Sequence, residues 1–394
     1  MISSKRKVVL VSRFLPSYVG GLGGYQRQLG QFLSESDGWQ AEFRYAERAE
    51  PIYPPSPDAL PCEASRFSDD GWKAAMGRCL FPRLASRPAL HGWMEHMAVW
   101  ANGGPRLSTE ACLIHFTGTG WDMLGFAAAE LAQRMKIPLT IWPAVHPGKW
   151  GDDLADVRLY RQANAIFCQS KYERDHLIAR GADPGRMHVC GLGPLCREDG
   201  NRERFRAKHR LGEAPVVLFL GNRQPGKGAP ALLAAWPIVR GVVPNAVLVL
   251  AGPGSSEAAD GVVDLGVVDE IEKADALAGC DVFCLPSEDE SFGIVYVEAW
   301  SYGRPVVCGR APASRELVED GVTGRWADQQ SGPLAHKLIE LLQYPAQARA
   351  MGVAGKNKQR SEFTWEATWK KHREIFEIAM EEKKADVLDG AIPS

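Results

Sequence analysis

No stretch of this 394-residue chain stays apolar for the roughly 18–20 residues that cross a bilayer. The longest candidate, near 229–251, is interrupted by Pro237, Arg240, Pro244 and Asn245, so the expectation is a protein that does not span a membrane. A secretory leader is also missing. Lys5-Arg6-Lys7 imitates the start of one, but only Val8 to Val11 follow as an apolar run, where a leader needs about 7–15 residues. That run reads as a first buried strand. Charge of one sign is scarce as well: 46 Lys and Arg stand against 48 Asp and Glu, a net charge of -2. Neither nucleic acid nor an anionic membrane is thereby marked as the dominant partner. The nine cysteines are odd in number and scattered, often inside apolar runs such as Ala-Ile-Phe-Cys168 and Asp-Val-Phe-Cys284. Reduced core cysteines look like this, which points to the cytoplasm. There is no internal repeat and no low-complexity tract.

What is present is an ordinary globular composition, 45% hydrophobic, 24% charged and 9% aromatic, on a length that suits two domains. Short β-branched apolar runs alternate with helix-length amphipathic stretches, the pattern of parallel α/β units. The first half offers strands at Val8–Ser12, Ala41–Tyr45, Cys112–Phe116, Leu139–Trp142 and Ala165–Cys168. The second offers Val216–Gly221, Ala246–Ala251, Val262–Leu265, Asp281–Leu285 and Pro305–Cys308. The expected fold is α/β with two doubly wound domains, joined through a polar, exposed connection at 193–212. Residues 47–110 break the rhythm with prolines 51, 54, 55, 57 and 61 followed by Trp72, Trp93 and Trp100, and read as an insertion. Helical spacing puts Trp93, Met97 and Trp100 on one face. The plain expectation is that this stripe packs on the domain; the functional readings are a lid, an acceptor surface or a membrane-contact patch.

Open parallel sheets bind ligands at the C-terminal ends of their strands, so the informative segments are loops that follow strands. After Val8–Ser12 comes a glycine-rich stretch, Gly20-Gly21-Leu-Gly23-Gly24, of the kind that lets backbone N–H groups approach a phosphate. A tight turn explains it equally well. Strict G-x-G-x-x-G is absent because Gln26 stands at the third glycine, which disfavours a nicotinamide cofactor. After Val216–Gly221 comes Asn222-Arg223-Gln224-Pro225-Gly226-Lys227-Gly228. Its two cations suit a diphosphate clamp, with a solvated loop as the alternative; Ala229, where Ser or Thr would hold magnesium, excludes Walker A. After Asp281–Leu285 a loop containing Glu290 ends in Phe292-Gly293 and leads into a helix that carries Glu298. Two carboxylates eight residues apart can flank an anion bound at the helix start. A charged solvated loop or a metal site are the alternatives, and the lack of any D-x-D argues against a metal-bridged nucleotide sugar. After Leu139–Trp142 comes Ala144-Val145-His146. A lone histidine is more often a structural hydrogen-bonder than a catalyst, and the same holds for His115.

The run Pro-Ser-x-x-Glu290-Ser-Phe-Gly-Ile-x-x-x-Glu298-Ala-x-x-x-Gly-x-Pro-Val-Val closely resembles the hallmark of family 4 retaining glycosyltransferases. The agreement extends in order along nearly the whole chain: the Gly23-Gly24 loop, Gly221 to Lys227-Gly228 as a phosphate loop, Asp264 to Val268 as a base-pocket segment, and Glu316 to Gly324. The resemblance implies the GT-B fold, two Rossmann-like domains facing a central cleft. It implies an N-terminal acceptor domain at 1–195, a nucleotide-sugar domain at 213–362, and a helix at 363–394 crossing back. It assigns Glu298 to the ribose hydroxyls and Glu290 to the transferred sugar. Lys227 and Arg223 fall to the leaving diphosphate and His146 to the donor sugar, giving His146, Arg223, Lys227 and Glu290 as catalytic. Donor contacts fall on Gly23, Gly24, Asn222, Val268, Ser291, Phe292, Gly293, Ile294, Val295 and Glu298. The family usually has Arg directly after the glycine at 221, where this chain has Asn222, with Arg223 one place late.

The expectation is therefore a retaining, metal-independent glycosyltransferase without a cofactor. Its donor would be a UDP- or GDP-linked sugar and its acceptor a small-molecule, glycan or lipid-linked one. It would be cytoplasmic, with peripheral contact to the inner face of a membrane and the oligomeric state both left open. A nucleotide-sugar 2-epimerase and a silent nucleotide-sugar-binding protein are the alternatives.

Overall fold

The computed structural model describes residues 5–14, 21–47, 64–66, 71–102, 110–255 and 259–389. The chain divides into two compact units, Met1–Cys190 with Thr368–Ser394, and Gly191–Ala367. These bounds differ by a few residues from 195 and 363.

The first unit is built on strands β1 (Arg6–Phe14), β2 (Trp39–Glu47), β3 (Ala64–Arg66), β4 (Ala111–Thr117), β5 (Leu139–Trp142), β6 (Ala165–Cys168) and β7 (Met187–Val189). They form one parallel sheet in the order β3-β2-β1-β4-β5-β6-β7. Its helices are α1 (Gly21–Glu35), α2 (Gly71–Ala85), α3 (His91–Ala101), α4 (Leu124–Met135), α5 (Leu154–Tyr160) and α6 (Lys171–Ala179). The second unit carries α7 (Arg202–Lys208), β8 (Val216–Leu220), α8 (Ala229–Val242), β9 (Val247–Ala251), β10 (Val262–Gly266), α9 (Glu270–Gly279) and β11 (Val282–Leu285). It continues through α10 (Ile294–Ser301), β12 (Val306–Cys308), α11 (Pro312–Leu317), β13 (Gly324–Trp326), α12 (Ser331–Gln343) and α13 (Pro345–Glu362). Its sheet runs β10-β9-β8-β11-β12-β13, again all parallel. A final helix, α14 (Trp365–Asp389), begins in the second unit and continues in the first. The central strands are unbroken apolar runs because helices cover both faces, as in Val8 to Val11 and Val216 to Phe219, all at most 1% exposed. Strand order reverses between β1 and β4 and between β8 and β11, so each unit has its switch point there.

Three expectations change. Residues 193–212 are not a bare connection, because α7 lies within them. Asn201 caps α7 by accepting the Arg204 N–H at 2.8 Å, the Arg204 guanidinium forks onto Asp275 (2.5 and 2.6 Å), and Arg206 reaches Asp281 (2.7 Å). The run looked solvated because its acidic partners stand more than 70 residues away in sequence. The glycine-rich stretch is not all loop either, since α1 starts at Gly21 and buries Gly23 and Gly24 in its first turn; residues 15–20 lie outside the described residues. Finally, α3 buries His91, Met94, Ala98 and Ala101, while Trp93 is 72% exposed and Trp100 39%. The face that packs carries His91 and Met94 together with the two alanines, and at its end α2 comes close: a Cβ on Gly77 of α2 would come within 2.6 Å of the Ala101 Cβ. Among the prolines of the 47–110 insertion, 51 to 61 lie outside the described residues.

His115 is structural. Its Nε2 is 2.7 Å from the Tyr25 hydroxyl, which is 2.8 Å from His372 Nε2 on α14; Tyr25 stacks on Trp142 with centroids 3.9 Å apart. His372 Nδ1 meets the Thr368 carbonyl (2.8 Å) and His115 Nδ1 meets Thr140 Oγ1 (2.8 Å). A carbonyl only accepts, so His372 carries its proton on Nδ1 and takes the Tyr25 hydroxyl at Nε2; Tyr25 then accepts from His115. Burial holds the His372 imidazole down to about 4 and His115 well below its usual range. An unfolded histidine titrates near about 6.5, so between these values the unfolded chain binds a proton that the native one does not. Stability is present above that window and is lost as pH falls through it. From pH 7 to pH 5, His372 alone should cost about 2 kcal/mol, or about 4–8 °C in the unfolding midpoint. Buried Glu173 on α6, its carboxyl pushed up to about 8, contributes with the opposite sign over this range, so the His372 share is read as a difference: between pH 7 and pH 5 the midpoint of His372→Gln should move relative to that of the wild type by this amount, and an identical pH dependence in the two proteins would refute the assignment.

Candidate active site

The second unit brings Lys227 and Glu290 together. β8 ends at Leu220, and the loop behind it closes in a single 3-10 turn, Pro225–Lys227, whose Gly228 sits in the left-handed region at φ +85°. β11 ends at Leu285 and is followed by Pro286 to Gly293. The two loops are stitched side by side. Glu288 N–H donates to the Gly226 carbonyl (2.9 Å), Ser287 Oγ lies 3.3 Å from the same oxygen, and Gln329 Nε2 spans Gly226 O (3.1 Å) and Pro286 O (2.8 Å). A Cβ at Gly228 would meet Pro286 Cγ at 2.6 Å, so glycine is required on two counts. In this frame Lys227 Nζ donates to Glu290 Oε1 and to the Asp289 carbonyl, both at 2.7 Å. The pair is half-sheltered, with side chains 22% and 10% exposed.

Helix α10 starts directly after this loop. Gly293 is its N-cap at φ +84° and no side chain caps it, which leaves first-turn N–H groups for a ligand to satisfy. Ser291 and Phe292 are buried, Phe292 lying edge-on to Phe363 with centroids 5.6 Å apart; Ile294 and Val295 are half-buried. Glu298, one turn in, is fully buried. Its Oε1 accepts from Lys273 Nζ at 2.7 Å. Its Oε2 lacks a hydrogen bond of good geometry, although the Leu195 amide lies close enough to favour its charge. Burial pushes the Glu298 carboxyl up and Lys273 holds it back. Burial alone would lower Lys273, but the Glu298 and Glu270 carboxylates outweigh it and keep the ammonium protonated.

Lys273 was not foreseen. It sits in the first turn of α9 inside Glu270-Ile-Glu-Lys-Ala, where its charge pattern reads as ordinary helix surface, and only the fold shows its ammonium against Glu298. Glu270 Oε2 lies 3.9 Å from the same Nζ. Val268, just before α9, is half-buried beside this group in sequence.

Arg223 does not join Lys227. Its guanidinium forks onto the Asp264 carboxylate, its side chain is only 4% exposed, and it also approaches the Leu250 carbonyl. A strut between the β8 loop and β10 is what the arrangement makes of it, and Gly254 is needed beside it because a Cβ there would strike the Arg223 side chain. Asn222 is exposed and accepts the Gln224 N–H at Oδ1 (3.0 Å).

In the first unit His146 follows β5. The turn it opens is closed by His146 N–H to Trp150 O (3.2 Å) and Trp150 N–H to His146 O (3.1 Å), and the two rings stack at 5.4 Å. Just before it, Ala144 holds φ +50° and the Val145 N–H donates to Glu173 Oε1 (2.7 Å). Glu173 is fully buried on α6, and its other oxygen accepts the Gln169 N–H (2.6 Å). Burial outweighs both bonds and pushes its carboxyl up to about 8. Glu173, too, escaped sequence reasoning, which gives a glutamate in a first helical turn no reason to be internal.

Residues 214–344 match a family model described as glycosyl transferases group 1. Curated relatives include a GDP-mannose-dependent alpha-(1-6)-phosphatidylinositol monomannoside mannosyltransferase of Mycolicibacterium smegmatis, 33% identical over 58% of this chain and 66% of its own length. A D-inositol 3-phosphate glycosyltransferase of Segniliparus rotundus is 30% identical over 54% of this chain and 51% of its own. The chain thus spans between half and two thirds of the length of these relatives. Among solved structures, HepE of Anabaena in complex with UDP and glucose has a TM-score of 0.70 at 17% identity, covering 94% of this chain and 98% of that one. Sucrose-phosphate synthase from Thermosynechococcus elongatus has 0.72 at 20%, covering 96% and 100%. At these identities the likeness establishes the fold, which is GT-B.

Proposed function

The chain belongs to the group 1 glycosyltransferases, and from that premise we propose that it moves a sugar from a nucleoside diphosphate sugar to an acceptor hydroxyl with retention and without a metal ion. The observation that carries this reading is the joining of Lys227 to Glu290 at the ends of β8 and β11, with uncapped α10 behind them and Glu298 one turn inside it. Glu298 offers a carboxylate oxygen to ribose hydroxyls. The leaving diphosphate gains charge as the glycosidic bond breaks, so a fixed ammonium and fixed N–H groups favour the transition state over the ground state. The acceptor oxygen attacks the anomeric carbon from the side on which the diphosphate leaves. The bond from that carbon to the phosphate oxygen breaks, and the acceptor proton passes to a phosphate oxygen of the departing nucleoside diphosphate. His146 contacts the donor sugar. Arg223, spent on Asp264, supports the nucleotide segment instead of the diphosphate. Relatives named as GDP-mannose-dependent favour that donor.

The test is incubation of the purified protein with a panel of nucleotide sugars, following donor loss. Hydrolysis of GDP-mannose ahead of UDP-sugars is expected; release of a free 2-epimer would favour an epimerase, and no turnover of any donor a silent binding protein. Full activity in chelator is expected, because fixed protein charges take the place of a divalent ion. An α-linked donor should give an α-linked product by the anomeric coupling in NMR. A β-linked product would make His146 a candidate base and end the retaining assignment.

A further inference from the structure

Lys273 is a sheltered ammonium that uses only part of its hydrogen-bonding capacity. Its Nζ donates to Glu298 Oε1 at 2.7 Å. Glu270 Oε2, at 3.9 Å, lends charge but is too far for a hydrogen bond, and no further acceptor meets the ammonium among the described residues. An ammonium carries three N–H donors, and sheltered donors left unmade are costly, so this one is short of an acceptor that the chain does not supply. The pair also has an inner and an outer member. The Glu298 side chain is closed off entirely, at 0% exposed, against 17% for Lys273. Around the carboxylate stand the Leu195 amide, which favours its charge, and the Cys196 thiol, 3.8 Å from Ser301 Oγ. Lys273 is therefore the member that a ligand meets first. Both residues lie about one turn into helices that follow the C-terminal ends of strands, α9 after β10 and α10 after β11, on the side where this sheet type takes its ligands. Asp269 fixes the start of α9 by accepting the Glu272 N–H at 2.7 Å. Lys273 thus follows the Asp264 to Val268 segment by about one turn of helix and touches the glutamate assigned to ribose.

We propose that Lys273 is a ribose-binding residue of the donor site, its ammonium donating to a hydroxyl oxygen of the ribose diol while Glu298 accepts from the diol and holds the ammonium in place. The proposal rests on the glycosyltransferase reading and adds to it a residue that decides between ribose and deoxyribose. A hydroxyl both donates and accepts, so one diol satisfies an ammonium with donors to spare and a carboxylate whose Oε2 lacks a well-formed hydrogen bond. A sugar without the hydroxyls leaves those groups unpaired, and sites built on hydrogen bonds reject such analogues strongly. Against the burial that would lower it, the Glu298 and Glu270 carboxylates keep the ammonium protonated, so the donor is present across the neutral range.

Calorimetry of the full chain with GDP and with 2′,3′-dideoxy-GDP tests this. The wild type should bind GDP at least about tenfold more tightly than the dideoxy analogue. Lys273→Met should weaken GDP about tenfold to a hundredfold, the worth of a charge-assisted contact, and dideoxy-GDP less than about threefold, so that the preference collapses. Lys273→Arg, which keeps a cation and N–H donors, should retain most of the preference. Because Lys273→Met strands the Glu298 carboxylate, the combined Lys273→Met, Glu298→Gln protein, in which neither charge is stranded, is measured beside Glu298→Gln alone. The combined variant should bind GDP more weakly than Glu298→Gln, with dideoxy-GDP bound equally by the two. Equal losses of GDP and dideoxy-GDP on replacing Lys273 would make it a structural clasp and overturn the proposal, as would unchanged GDP affinity in both Lys273→Met proteins. GDP bound by the wild type without preference over the dideoxy analogue ends the Lys273 contact alone, whereas neither GDP nor UDP bound ends the donor reading and this contact with it.

Discussion

Glu298→Ala is expected to lose nucleoside diphosphate affinity and fold stability together. The carboxylate is fully buried and its Oε1 holds Lys273 at 2.7 Å, so truncation strands an ammonium inside the second unit. Breaking one side of a buried pair costs about 3–5 kcal/mol, and Glu270, 3.9 Å from Lys273, recovers only part of it. A fall of the unfolding midpoint by about 6 °C or more follows for a unit of this size. The ribose effect must be read separately from that instability. Glu298→Gln serves, because its amide oxygen can still take Lys273 while the charge that ribose hydroxyls would share is gone. Hydrogen bonds to a charged group are worth about 1.5–3 kcal/mol, so GDP affinity in Glu298→Gln should fall about tenfold to a hundredfold by calorimetry below the melting range. Glu290→Ala should instead spare GDP and impair sugar-dependent steps. Affinity for GDP within twofold of wild type in the Glu298→Gln protein would remove the ribose from Glu298.

How much of this could be read in advance follows from what each signal depends on. Strands such as Leu139–Trp142 and Ala165–Cys168 coincide with their expected bounds, since a central parallel strand is apolar on both faces and needs nothing from afar to be recognised. β3 and β7, three residues each at the sheet edges, carry too little pattern to stand out. The place of Glu290 and Glu298 on either side of the start of α10 was legible because a loop-to-helix junction fixes it within one local stretch, whereas the pairing of Lys227 with Glu290, 63 residues on, was not. The pairing of Arg223 with Asp264 was hidden as well: spacing from Gly221 recommends the guanidinium to the diphosphate, but Asp264 lies 41 residues on, and a cation's partner at that distance is decided by the register of β9 and β10. The same ignorance hid Lys273, Glu173 and the arginines of α7. Hydrophobic period alone also misjudged α3, where Trp93 and Trp100 stay exposed while Met94, Ala98 and Ala101 pack, because the close approach of α2 at Gly77 leaves room for alanine at 101.

Lys227→Ala should slow donor turnover by about tenfold to a few hundredfold, the worth of one charge-assisted contact to a leaving diphosphate. The structure adds a second reason for a large effect. In the free protein the ammonium is bound by Glu290 and the Asp289 carbonyl, so truncation also leaves the Glu290 carboxylate uncompensated where a dianionic ligand is to bind. Like charges in a partly sheltered site repel. The Lys227→Ala defect therefore contains a lost attraction and a gained repulsion, and a double-mutant cycle separates them. In the Lys227→Ala background, Glu290→Gln should recover part of the GDP affinity, whereas in the wild-type background the same change should leave it nearly unaltered. The fold should persist in every variant, since the turn around Lys227 is held by Gly226, Ser287 and Gln329 through backbone and amide bonds that do not involve the ammonium. Turnover within twofold of wild type in Lys227→Ala would take Lys227 out of the site. A Glu290→Gln change that restores nothing would mean that the pair is a structural clasp and that the diphosphate is neutralised by other groups.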